Sequence, residues 1–308
     1  MSETATLTLD RIEAITAKAL QAHGASAEGA TSIARAIALA EASGNAICGI
    51  HYVHKICDQL DAGAVDGRAK PVVIKTGQPA RLVVDVRYGF AHRAFDLHLP
   101  DLVDAAEKHG IATLALRHSY NALDLGQFAE RIAEAGLIGI AFSNSPAAVA
   151  HPGMAQKLFG TNPFAYAVPG AEGRPDIVVD MSTSAVTKNA VVLKAAAGET
   201  LDAGVAVDRA GRPTTNPQTA LEEGAILAFG GHKGAALSPT SSYTTPALSP
   251  TGAGEREARS WKRWARSWTS RAPDSSRSWC ICGVAPCTRA NRPRPSRSSP
   301  CRSPPAIC

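Results

Sequence analysis

The sequence predicts an α/β protein preceded by a helical portion, and three observations carry that prediction. Apolar residues recur at helical spacing through the first sixty positions. From residue 71 onward, short β-branched runs alternate with helical stretches. The 308 residues suffice for two domains and a sizeable core. Helices first, then strands and helices in alternation, mark an α/β fold.

The elements follow in order. Residues 8–22 place Leu9, Ile12, Ile15 and Leu20 near one helical face. Ser26 is the expected N-cap of a second helix running to Ala42, with Gly44 as its stop. A third helix is expected over 51–62. Residues 71–76 (PVVIKT) and 81–86 (RLVVDV) read as strands around the turn GQPA. A helix over 90–108 leads to a strand over 110–116, a helix over 124–135 and a strand over 137–144. Short β-rich pieces at 164–169 and 176–182 precede a helix over 184–196. The expected organisation is a helical substrate portion over 1–72, an α/β domain over 73–238, and a tail over 239–308.

The net charge of +5 conceals two unlike parts. From Pro239 onward, eleven Arg and Lys262 stand against Glu255, Glu257 and Asp274, a net +9. Residues 1–238 therefore hold 20 basic and 24 acidic residues, a net −4. Five of the seven cysteines (Cys280, Cys282, Cys287, Cys301, Cys308) and all four tryptophans lie in the tail. The tail keeps no apolar period and is too poor in Ile, Leu and Val to offset the entropy of ordering it. It is expected to be disordered, or the product of a shifted reading frame in a GC-rich gene, leaving the protein truncated. A basic nucleic-acid arm and a metal site on Cys280, Cys282 and Cys287 are the rival readings. The cysteine spacing fits no common zinc pattern, and no His follows His232. The mildly acidic body gives no reason to expect nucleic acid or an anionic membrane as partner. The N-terminus, MSETATLTLDRIEA, lacks the basic and apolar segments of a secretory signal, so a cytoplasmic location is expected.

The glycine-rich fingerprint G-x-G-x-x-G after a strand is absent. Six other segments stand out between residues 117 and 234: RHSYNALDLG, AFSNSPAAVAHPG, KLFGTNPFAYAVP, VVDMSTS, GRPTTNP and FGGHKG. In this order and spacing, together with the N-terminal helices and AGAVDGRAKP (62–71), they closely resemble the malate/L-lactate dehydrogenase family over roughly residues 5–237. That resemblance implies a nicotinamide-binding domain with a mixed sheet and no glycine loop, NAD or NADP as cofactor, a small-molecule substrate, a homodimer, and no metal.

Matched position by position, the resemblance places cofactor contacts at Ser145, at Asp180, Met181 and Ser182, and at His232 and Lys233. Thr161 matches a substrate contact, and His118 is a further substrate-side candidate. Each has a plain structural alternative: Asp180 ends a strand where a carboxylate often caps the following helix, Met181 suits a core, and Gly160, Asn162 and Pro163 are turn formers. Lys233, a cation between glycines, suits a pyrophosphate.

The departures fall on the chemistry. Where the family reads approximately S-H-G-x-x-R, this chain has Ile47, Cys48, Gly49, Ile50, His51 and Tyr52. Where it reads R-N-S-x-H, this chain has Arg117, His118, Ser119, Tyr120 and Asn121. Reducing a 2-oxo acid or ketimine needs an acid that delivers a proton, usually His, and a cation that forks the carboxylate. Asn121, Cys48 and Tyr52 stand at those places, and an amide such as Asn121 delivers no proton near neutral pH. His51, His54 and His118 are the possible substitutes. The leading expectation is an NAD(P)-dependent oxidoreductase of a small 2-hydroxy/2-oxo acid. The alternatives are a reductase of cyclic imino acids such as Δ1-pyrroline-2-carboxylate or Δ1-piperideine-2-carboxylate, and an inactive truncated pseudoenzyme.

Overall fold

A computed structural model of the chain describes residues 6–171, 175–244 and 282–286. Three helices open it: α1 (Leu9–Ala22), α2 (Ala27–Ala42) and α3 (Val53–Asp61), with two 3-10 turns, Ala46–Cys48 and Ile50–Tyr52, between α2 and α3. Thr8 and Ser26 cap α1 and α2 by accepting hydrogen bonds from the Arg11 and Gly29 amides. The buried face of α1 is Ile12, Thr16 and Leu20, while Leu9 is 45% exposed. The expected stripe therefore rotates. Leu9 occupies the first turn, where no neighbouring element covers it, and Thr16 completes the face.

Two sheets follow. The larger is built from β1 (Val72–Ile74), β2 (Arg81–Asp85), β3 (Ala112–Arg117), β4 (Leu137–Phe142), β7 (Pro163–Pro169), β8 (Pro175–Ser182) and β11 (Cys282–Pro286), in the order β1-β2-β3-β11-β4-β7-β8. β2 and β3 run parallel and the other pairs antiparallel, so the sheet is mixed. The smaller sheet, β6 (Lys157–Phe159), β5 (Val149–Ala150), β10 (Ala225–Leu227) and β9 (Ala206–Val207), is mixed as well. The remaining helices are α4 (Ala91–His109), α5 (Gly126–Glu134), α6 (Lys188–Ala197), α7 (Pro217–Glu222) and α8 (His232–Thr244). α6 starts four residues later than its apolar pattern suggests, because Thr187 takes the N-cap and accepts from the Ala190 amide.

Apolar burial gathers in three main clusters. Phe95, Leu102, Leu114, Phe128 and Ile132 join α4 and α5 to the large sheet. Leu20, Ile33, Ile37 and Ile56 join the first three helices, and Phe90 and Tyr120 enter this cluster from the segments after β2 and after β3. Phe159, Val191, Leu201 and Ile226 form the third, around the small sheet. Phe90 and Tyr120 thus tie the helical portion to the loops at the carboxyl ends of β2 and β3. Ligands of α/β sheets gather at such ends.

The expectation of a tail without structure differs from the fold at two places. α8 continues through Pro239 to Thr244, and Cys282–Pro286 pairs with β3 on one side and β4 on the other. A strand paired on both edges draws on backbone hydrogen bonds, which a search for apolar periods does not detect. Residues 245–281 and 287–308, with Cys280, Cys287 and the tryptophans, lie outside the described residues.

Candidate active site

A cleft of about 500 Å³ opens beside the carboxyl ends of β3 and β4. Leu116, Leu125 and Phe142 supply apolar wall, and Ser119, Asn121, Ser143 and Asn144 supply polar groups. Asn144 Oδ1 is buried without a partner among the described residues. A buried acceptor of this kind costs free energy until a donor reaches it.

The loop after β3 delivers Asn121 to the rim. Its Nδ2 donates to the Tyr52 hydroxyl at 2.9 Å, and its Oδ1 accepts from the Leu123 amide at 2.9 Å. Two of the three predicted catalytic positions therefore touch, although 69 residues separate them. Neither is a cation that could fork a carboxylate as arginine does. His118, one residue past β3, is turned to Asp85 instead, with Nδ1 3.1 Å from the carboxylate, and stacks on Tyr88 at 5.2 Å. Nδ1 of His118, the substrate-side candidate, is thus bonded to Asp85, and the cleft lining includes Ser119 and Asn121.

The third predicted position, Cys48, belongs to a different group. The 3-10 turn Ala46–Cys48 brings it up to two carboxylates, Asp124 and Asp180. Burial, then the charges of Asp124 and Asp180, push the Cys48 thiol up to about 12, so it stays protonated. The carboxyl groups of Asp124 and Asp180 hydrogen-bond to each other. The Gly126 amide at the start of α5 donates to both, at 3.1 Å to Asp124 and 2.7 Å to Asp180, and Asn45 Nδ2 donates to Asp124 at 3.1 Å. Desolvation of its carboxyl, and then the bond to Asp124, hold Asp180 well above the ordinary carboxylate range, towards neutrality. The residue as a whole keeps part of its surface open to solvent, so its proton is reachable. Asp180 does cap a helix. That helix is α5, which precedes it in the chain, and not the following one.

Asp124 was not singled out by sequence reading. Its local signal is modest: an acid two residues before a glycine that begins a helix. Its partner lies 56 positions away, joined only by the packing of β8 against α5.

A second cluster, around Thr161, is bonded within itself. Ser145 Oγ lies 3.1 Å from Thr161 Oγ1 and accepts from the Thr161 amide at 2.9 Å. Asn162, wholly buried with φ +29°, accepts from the Ser145 amide and donates to the Ser238 carbonyl at 3.0 Å. A Cβ on Gly160 would overlap the Ser145 carbonyl, so the turn requires glycine. Ser182 Oγ bonds Ser184 Oγ at 2.9 Å, and Met181 is half-buried opposite Phe164 in the β7–β8 pairing. His232 and Lys233 are exposed at the start of α8, after Gly230 and Gly231 with φ +54° and +61°.

Three comparisons bear on this geometry. The sequence profile of the malate/L-lactate dehydrogenase family matches residues 7–274. A Delta(1)-pyrroline-2-carboxylate/Delta(1)-piperideine-2-carboxylate reductase of Pseudomonas syringae pv. tomato is 42% identical over 216 residues, 70% of this chain and 62% of that protein. A Delta(1)-pyrroline-2-carboxylate reductase of Ancylobacter novellus is 38% identical over 238 residues, 77% of this chain and 69% of the relative. The chain thus spans between six and seven tenths of the length of these relatives. Among solved structures, the delta1-piperideine-2-carboxylate reductase of Pseudomonas syringae superposes with a TM-score of 0.74 at 38% identity, over 78% of this chain and 71% of that one. The malate dehydrogenase of Entamoeba histolytica shares the fold, with a TM-score of 0.75 at 21% identity over 92% of this chain and 78% of that one. Among the described residues no helix is long and apolar enough to cross a membrane, and no group of His, Cys, Asp and Glu is arranged to hold a metal ion.

Proposed function

The chain belongs to the malate/L-lactate dehydrogenase family, and from that premise we propose that it is a nicotinamide-dependent reductase of small cyclic imino acids. One observation carries the choice of substrate: relatives at 35–42% identity bear Δ1-pyrroline-2-carboxylate, alone or with Δ1-piperideine-2-carboxylate, in their names. The cyclic imino acid alternative therefore takes precedence over the 2-hydroxy/2-oxo acid reading drawn from the motifs.

The residues present fit a nicotinamide dinucleotide. The buried, unpartnered Asn144 Oδ1 suits an amide N–H, and the exposed Lys233 on its glycine turn suits a phosphate. When bound, the dinucleotide supplies the hydride that adds to the imine carbon. The chain's own residues handle the proton and the carboxylate. Asp180, raised to about 7 by desolvation and then by its bond to Asp124, holds the proton that passes to the imine nitrogen as the C=N bond becomes a C–N single bond. The carboxylate left behind is stabilised by the Gly126 amide and takes its next proton from solvent. The Tyr52 hydroxyl and Asn121 amide, 2.9 Å apart, are neutral donors for the substrate carboxylate in place of an arginine fork.

The test is steady-state oxidation of NADH and of NADPH with Δ1-pyrroline-2-carboxylate, Δ1-piperideine-2-carboxylate, pyruvate and oxaloacetate. The expected result is turnover of the cyclic imines at a kcat/KM above that of either 2-oxo acid. A 2-oxo acid consumed faster than both imines, or no turnover of any imine, overturns the proposal.

A further inference from the structure

A small cyclic imino acid carries its carboxylate as an anion at neutral pH, and the wall of the cleft does not answer that charge. Every described residue that lines the cleft is uncharged, and Asp124, beside Leu125 in the chain, has the wrong sign. A carboxylate drawn into such a space gives up hydration and needs a cation in return. One cation stands at the rim. Lys55, three residues past Tyr52 and in the first turn of α3, holds its Nζ over the Tyr52 ring, 4.8 Å from the centroid. The hydroxyl of that ring accepts from Asn121 Nδ2 at 2.9 Å, and Asn121 lines the cleft. Accepting this bond leaves the hydroxyl hydrogen free to donate elsewhere. Helix energetics does not account for the lysine. The first turn of a helix has a partial positive charge, which favours an acid there and disfavours a cation, yet α3 has no acid in that turn. Lys55 is exposed, and among the described residues the face of Tyr52 is the one partner of its ammonium.

We propose that Lys55 is the cation that receives the substrate carboxylate and selects anionic imines, an inference that rests on the cyclic imino acid reading above. The flexible four-carbon stem carries the ammonium from the face of Tyr52 to its hydroxyl edge. There the carboxylate accepts from the ammonium and from the Tyr52 hydroxyl, which Asn121 holds in place by donating to it. Lys55 adds a charge to the two neutral donors already at the rim. An ammonium is a point charge without the planar fork of a guanidinium, so it reads the sign of the ligand more than its shape. Discrimination by charge is therefore the signature of this assignment.

The experiment measures kcat/KM of the full chain for Δ1-pyrroline-2-carboxylate and for its methyl ester, which keeps the ring and removes the charge, at low and high salt. Lys55→Met keeps an apolar stem over Tyr52 and loses the ammonium. It is expected to lower kcat/KM for the carboxylate about 5- to 20-fold, mainly through KM, as fits a partly screened contact with a charged group. The ratio of carboxylate to ester kcat/KM falls with it, and the deficit narrows as salt rises. Lys55→Arg restores most of the ratio, and Lys55→Glu lowers it further. Lys75→Met removes the same charge just past β1, at the amino end of β2 and away from the cleft, and is expected to leave the ratio unchanged. An unchanged carboxylate kcat/KM in Lys55→Met, or a proportional loss with carboxylate and ester alike, overturns the proposal while the substrate reading stands. The same fall in Lys75→Met overturns it as well. No turnover of the carboxylate by the wild type overturns the substrate reading, and this inference with it.

Discussion

Two clusters adjoin the cleft in the chain, one next to its lining residue Asn144 and one next to Leu125, and these two walls are held by opposite means. On the Thr161 wall every named polar group finds a partner: the Asn162 side chain binds the Ser145 amide and the Ser238 carbonyl, and Ser145 and Thr161 bind each other. On the Cys48 wall, Asp124 and Asp180 share a small space with a thiol, and the charged forms of both Cys48 and Asp180 are disfavoured. In the sequence reading, the first carries positions expected to follow the family pattern, and the second includes Cys48, where a departure from it is expected. Satisfied groups fix a shape, whereas Asp180, raised towards neutrality, is able to move a proton near neutral pH. The departing wall is therefore where the chemistry of this chain is to be sought.

The comparison breaks most sharply at Asp180. Asp180→Asn keeps the size of the side chain and abolishes its proton. Loss of general acid catalysis predicts a kcat lower by about 10²–10⁴-fold with a cyclic imine. Wild-type activity falls as pH rises past neutrality, when the acid is lost, and the variant lacks that limb. An unaltered pH–rate profile would remove Asp180 from the reaction. Stability has its own sign. Because the folded-state pKa is raised, the folded chain holds a proton that the unfolded chain has released, so stability declines as pH climbs from the ordinary carboxylate range to neutrality. Asp180→Asn flattens that decline, an effect kept modest by the residue's contact with solvent.

Cys48 sharpens the same wall. With its pKa pushed up to about 12, alkylation by iodoacetamide at pH 8, followed on the Cys48 peptide, is expected to be about 10³-fold slower than in the unfolded chain. Asp124→Asn and Asp180→Asn each remove a negative neighbour and accelerate it. Equal rates in wild type and both variants would show that the carboxylates do not govern the thiol.

The bonded wall answers to stability instead. Asn162→Ala leaves the Ser145 amide and Ser238 carbonyl without their partner and puts alanine at φ +29°, a conformation asparagine tolerates better. A loss of about 2–4 kcal/mol is expected from the abandoned buried groups. Chemical denaturation measures it, and a loss below about 1 kcal/mol would mean that the turn holds its shape without the side chain.

How much of this was legible follows from range. Caps and glycine stops are local signals, and Ser26 and Gly44 bound α2 as read. The Gly160–Thr161–Asn162 turn is local too, and its residue types announce it. The strands β1 and β2 around their turn, and the strand β4, were likewise legible in the residue types. The Asp124–Asp180 bond was not, because it forms only after β8 has docked on α5. Nor was β11, whose sequence Cys-Gly-Val-Ala-Pro carries no strand pattern and acquires one by pairing on both sides with β3 and β4. His118 illustrates the converse: its motif position suggested substrate, and the fold commits its ring to Asp85 across the β2–β3 pair.

Lys233 belongs to neither wall, and it carries the smallest expected effect. Gly230 and Gly231 turn the chain into α8 with positive φ, leaving Lys233 exposed beside His232 in the first turn of that helix. Neither residue has an acidic partner among the described residues, so a dinucleotide phosphate is a fitting counter-charge. An exposed cation is screened, however, and its contact with phosphate competes with water. Lys233→Ala should weaken reduced-dinucleotide binding by about 1–3 kcal/mol, at the lower end if the phosphate remains wet. Fluorescence titration at two salt concentrations distinguishes the sources of that loss. A charge contact predicts that the difference between wild type and variant narrows as salt rises. A difference independent of salt would mean that the lysine acts by shaping the α8 turn. Equal affinities at low salt would exclude Lys233 from the cofactor site.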